Sequence, residues 1–214
     1  MAQSLLRANE SIADMVNQRT WNAHPHLAWA IWGLDEIEAT LASIEGRLHS
    51  RASVHPKLES AMVAMRMARD AFRKSIGEHA HVNEVTLARS KADLERQWAA
   101  FEDSVQNYLN TVDREVSEQE TVFRARADAQ SKAWLQAIDN LHKSATRFAA
   151  DCGSDIETAV KRLESEADAA RVKLDKLNKA EGASWAAMRS ALAETRAALD
   201  YAHRSVLDVL ERSA

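Results

Sequence analysis

Six of the eight histidines fall within the first 81 residues: His24, His26, His49, His55, His79 and His81. Neutral imidazole is a good ligand for zinc, copper, nickel or iron. If the two helices between these histidines run antiparallel, the start of one meets the end of the other. His24, His26, His79 and His81 then share one end of the pair, with Glu78 close by as an oxygen ligand, and a metal ion there is the one cofactor the sequence suggests. The spacing matches no zinc signature. A histidine near a helix C-terminus is also favoured by the helix dipole, which accounts for His49, His79 and His81 without any metal.

Tryptophan forms the second cluster. Trp21, Trp29 and Trp32 surround the start of one helix, and Trp29 and Trp32 lie three residues apart on one face. The ordinary reading is helix–helix contact. The functional reading is a docking patch for a partner, since an exposed apolar patch marks an interface. Cys152, the lone cysteine, rules out an internal disulfide and lies in a predicted turn with no histidine placed to act as its base. The carboxylates occur in mixed charge patterns that fit a solvated helix face. Glycine-rich phosphate loops, nucleophile elbows and zinc-protease helices do not occur. No catalytic residue is therefore expected, and the chain reads as a non-enzyme.

The elements that must position these residues are all helical. Five glycines, two prolines and 6% aromatics argue against an all-β or doubly wound fold. Ser4 to about Arg19 reads as a short amphipathic helix. Pro25 suits a helix start, and Leu27, Ile31, Leu34, Ile37, Leu41, Ile44 and Leu48 follow at helical steps to His49. Pro56 opens another helix, with Leu58, Met62, Met65 (or Ala61), Arg69, Phe72 and Ile76 on its stripe and Gly77 at its end. These two helices should pack antiparallel.

Beyond Ala80 there is no proline, and the only glycines are Gly153 and Gly182. The residues that fill this stretch lose little side-chain freedom in a helix. The expectation is a long antiparallel hairpin over residues 82–214, turning near 151–154, beside a short-helix segment over residues 1–81. Its first seam runs through Leu94, Trp98, Phe101, Val105, Tyr108, Val112, Val116, Gln119, Phe123, Ala127, Gln130, Trp134, Ile138, Leu141, Ala145 and Phe148. Its second runs through Ile156, Val160, Leu163, Ala167, Ala170, Leu174, Leu177, Glu181, Trp185, Met188, Leu192, Thr195, Leu199, Ala202, Val206 and Leu210. The mean step of about 3.6 residues implies little supercoil. At 1.5 Å per residue each arm would be on the order of 80 to 100 Å long. Gly182 marks a soft spot where the second arm kinks, breaks or makes a close approach.

The order Ala169-Ala170-Arg171-Val172-Lys173-Leu174-Asp175-Lys176-Leu177, then Gly182-Ala183-Ser184-Trp185, then Met188 and Leu192 resembles bacterial coiled-coil stress-response proteins. It is also similar to phasins, which coat polyester storage granules with amphipathic helices. The likeness covers roughly the last 90 residues. It implies a structural or surface-binding role and assigns no catalytic residue.

Charge and hydropathy exclude other classes. The 28 basic and 32 acidic residues give a net charge of −4. Neither side of residue 81 is basic, so nucleic acid is a poor partner. The N-terminus lacks the pattern of a signal peptide, and no stretch is apolar enough to span a membrane, so a cytoplasmic location is expected. The leading reading is a helical scaffold or assembly subunit with protein partners, as a homodimer. The alternatives are a phasin-like coat on a lipid or polymer granule and a His-rich metal-binding helical protein.

Overall fold

The computed structural model describes residues 25–49, 56–79, 84–112, 116–148, 153–180 and 183–213. Among them the chain is all-α, with six helices: α1 (Pro25–His49), α2 (Pro56–His79), α3 (Glu84–Thr111), α4 (Val116–Phe148), α5 (Gly153–Asn178) and α6 (Trp185–Ser213). None of these helices is long and apolar enough to cross a membrane. The expected helix over Ser4 to Arg19 lies outside the described residues, as do Cys152 and Gly182.

Pro25 and Pro56 open α1 and α2 as their fixed φ and missing N–H predict. The helix of α2 runs through Gly77 to His79. Side-chain pairs then fix the direction of each neighbour. Arg73 pairs with Glu38, and Arg66 donates to Glu45 at 2.8 Å, so α2 runs antiparallel to α1. Ser75 donates to Asp93 at 3.1 Å while the Phe72 and Trp98 rings meet edge to face, so α3 runs antiparallel to α2. Glu102 pairs with Arg126, and the Tyr108 hydroxyl donates to Glu118 at 3.1 Å, turning α4 back along α3. His142 lies 3.1 Å from Glu164, and Arg124 donates to Asn178 at 3.3 Å, between α4 and α5. Lys173 pairs with Glu194, and Arg162 lies over the Tyr201 ring at 5.9 Å, returning α6 along α5.

The first arm, expected to be continuous, and the second, expected to have a soft spot at Gly182, are thus each divided and folded back. The first breaks between Thr111 and Val116, the second between Asn178 and Trp185. The first break carries no glycine or proline. It is held by tertiary bonds to Glu118, a fully buried carboxylate in the first turn of α4. Tyr108 donates to one oxygen and Arg47 of α1 to the other, each at 3.1 Å. The second break flanks the predicted soft spot. Ser184 caps the new helix, its hydroxyl accepting from the Ala187 N–H at 3.3 Å.

Most of the seam positions named above are buried whichever way the arms fold, because a 3.6-residue stripe points to one side of its helix. Trp98, Gln119, Ile138, Ala167, Leu177 and Trp185 are only partly buried, and Val116, at the start of α4, is 58% exposed and leaves the seam. The side chains of Leu141, Ala145, Phe148, Ile156, Glu181 and Leu210 lie outside the described residues. The central helix α4 buries more than one stripe. Phe123, Ala127 and Trp134 are joined by Val122, Ala133 and Ala137, since α1, α5 and α6 all pack on it. A single core cluster takes residues from every helix, and a smaller one forms around Phe123, Leu174, Met188 and Leu192.

Gly33 is where α1 approaches α3. A Cβ there would lie 3.1 Å from Trp98 Cζ3 and 3.5 Å from Phe72 Cζ. The Trp98 ring cannot retreat freely, because Arg196 stacks on it at 3.9 Å. Gly46, by contrast, has open space around it. In chemical denaturation Gly46→Ala should therefore stabilise the fold by about 0.5 to 1 kcal/mol through helix propensity. Gly33→Ala should destabilise it by roughly 1 to 2 kcal/mol, overpacking outweighing the same propensity gain.

Candidate functional site

The chemistry-bearing residues lie at the crossing of α1, α3, α4 and α6. Glu36 of α1 is 1% exposed. One of its oxygens accepts from Arg126 Nε at 2.6 Å and from an Arg196 guanidinium nitrogen at 2.8 Å. The other accepts from Gln130 Nε2 at 3.1 Å and from Arg196 at 2.9 Å. Arg126, fully buried, also pairs with Glu102 of α3. Gln130 donates again to the Leu192 carbonyl at 2.9 Å and accepts from the Thr195 hydroxyl. Two carboxylates and two guanidiniums close a charge-neutral cluster, with the Trp98 face lying under Arg196.

Burial alone would push the Glu36 carboxyl upward, but Arg196 and Arg126 outweigh it and hold the group below the usual carboxylate range. For Arg126 burial acts downward and is likewise overcome, by Glu36 and Glu102, so its pKa is raised. A carboxylate whose lone pairs are taken by two guanidiniums and an amide is a poor general base at neutral pH, and the arginines are no acids. What the cluster does is clamp four helices at one level.

The residues predicted from sequence stand elsewhere. Trp29 and Trp32 are 9% and 6% exposed. Trp29 meets Phe72 edge to face with centroids 6.2 Å apart, and Trp32 meets His203 at 5.1 Å. They are core contacts, which is the ordinary reading given above for the tryptophan cluster. Trp21, His24 and His81 lie outside the described residues, and so does the side chain of His26. His79 ends α2, with Nδ1 2.9 Å from Ser90 Oγ and Nε2 3.4 Å from Asp93 Oδ2. Burial raises the Asp93 carboxyl, but hydrogen bonds from Ser75 and His79 and the charge of Arg96 bring it below its ordinary value. Among the described residues no group of three or more His, Cys, Asp or Glu could hold a metal ion.

Sequence reasoning passed over Glu36, Arg126 and Arg196. A signal existed for the first. Trp29, Trp32, Gly33, Glu36 and Thr40 recur at steps of three and four, a second stripe on α1 with one charge inside an otherwise apolar or small set. Arg126 adjoins the seam residue Ala127, and no local pattern marks it.

Removing one partner of such a cluster leaves a buried charge uncompensated. Glu36→Ala should lower the unfolding free energy by about 3 to 5 kcal/mol, read by urea denaturation. A pH dependence follows from His203. Burial, then the charge of Arg204, pushes its pKa from the ordinary 6.5 down to about 4. Between those values the unfolded chain binds more protons than the folded one, so stability falls as pH falls. The loss should be on the order of 2 to 3 kcal/mol over that window. Thermal melts of His203→Phe should show a flatter profile there, with the acid loss owed to Glu36 remaining at lower pH.

Compared with known proteins, the chain matches no family model, no curated protein and no solved structure.

Proposed function

We propose that this protein is a helical scaffold or assembly subunit, working by protein–protein contact through the outer face of α2. One observation carries the reading. Val63 and Met67, i and i+4 on α2, are 46% and 67% exposed, with Ala64 exposed between them. Their face points away from Leu58, Met62, Met65 and Phe72, the residues that α2 buries against α1 and α3. The strip is bordered by ion pairs: Arg66 with Glu45, and Lys74 with Glu78 at 3.6 Å. An apolar centre inside a charged rim is the usual anatomy of a protein contact. The net charge of −4 disfavours an anionic lipid surface.

Light scattering coupled to size exclusion tests this. The wild-type chain should run as a discrete oligomer, and Val63→Glu with Met67→Glu should reduce it to the monomer mass while leaving the far-ultraviolet circular dichroism unchanged. A wild type that stays monomeric at high concentration while co-sedimenting with lipid vesicles or polyester particles would overturn the proposal in favour of a surface coat.

A further inference from the structure

Where α1, α4 and α6 meet they leave a small, partly open cavity of about 10 Å³, lined among others by Trp32 and Glu36 of α1, Gln130 and Trp134 of α4, and Thr195 and Leu199 of α6. Trp134 is 2% exposed, and its indole N–H has no acceptor in the protein. An indole nitrogen can only donate, and a buried donor without an acceptor is costly. None of the polar groups in this wall is bonded to it. Both amide hydrogens of Gln130 are committed, one to Glu36 and one to the Leu192 carbonyl. Glu36 is engaged by Arg126, Arg196 and Gln130. Lone pairs remain on Gln130 Oε1 and Thr195 Oγ1, which otherwise bond each other.

The group that completes this arrangement must accept from the indole and donate to an oxygen. It must be uncharged, because the adjoining carboxylates and guanidiniums already balance. It must also be about one heavy atom in size, since the volume matches the least that holds a water molecule. We infer that the cavity is a binding site for a single resident water, which takes the Trp134 N–H and donates to Gln130 Oε1 or Thr195 Oγ1. The water is then a structural part of the three-helix junction, extending the Glu36 cluster to α4's large core tryptophan.

Two measurements on the full chain test this. In a high-resolution crystal structure of the wild type, density for a water should appear within about 3.2 Å of Trp134 Nε1. Oxygen-17 magnetic relaxation dispersion should count one fewer long-lived water in Trp134→Phe than in the wild type. Trp29→Phe should leave that count unchanged, since Trp29 is also buried with an unpaired N–H but lies away from this cavity. Xenon binding in the cavity of pressurised wild-type crystals, with no water density at Trp134, would mark the site as dry and overturn the inference. So would an unchanged water count in Trp134→Phe.

Discussion

Glu36 is the constraint on which the bundle depends. A carboxylate in a helical core is tolerated only when its charge and lone pairs are met, and here they are met by groups from two other helices. Arg126 passes the same demand on to Glu102 in a third. Apolar seams of alanine and leucine slide and rotate at little cost, because one methyl resembles the next. The carboxylate and the guanidinium have directions and distances to satisfy. The cluster therefore sets the level at which α1, α3, α4 and α6 cross, and the apolar residues fill the space that this register leaves.

The secondary contacts follow from that level. Two turns further along α4, Trp134 packs in the core, and at the opposite end Glu118 receives Tyr108 and Arg47. Arg196 stacks on Trp98, which in turn limits how closely Gly33 lets α1 approach α3. Charge pairing, aromatic stacking and the close approach at Gly33 are thus a single connected device. The salt bridges on the outer faces of the helices, such as Lys161 with Glu157 and Arg171 with Asp168, are exposed and contribute little beyond solubility.

Helix content, the proline-marked starts of α1 and α2 and most of the buried positions were legible in the sequence, because they depend on local chemistry and on a period of 3.6 residues. The path of the chain was not. The stretch from Ala80 to Asp151 contains no helix breaker, and the fold-back after Thr111 is imposed by bonds that Glu118 makes to residues ten and seventy-one positions away. A pattern reader sees continuous helix there and infers a rod. The buried cluster was hidden for a related reason: charged letters default to solvent, and only their partners, far along the chain, show otherwise. Trp29 and Trp32 admitted two readings, helix–helix contact and docking patch. Local pattern does not choose between the two, because the rings that pack on Trp29 and Trp32, Phe72 and His203, come from distant segments.

The separation of Glu36 from Arg196, 160 residues, has a bearing on how the molecule is made. During synthesis the amino-terminal helices emerge first, carrying a carboxylate whose second guanidinium partner has not yet been translated. The junction cannot close until the sixth helix is out of the ribosome, and loop-closure entropy slows pairing over so long a span. Nascent chains should accordingly remain open to chaperones for nearly the whole of elongation, and early stop codons should yield fragments that proteases clear quickly.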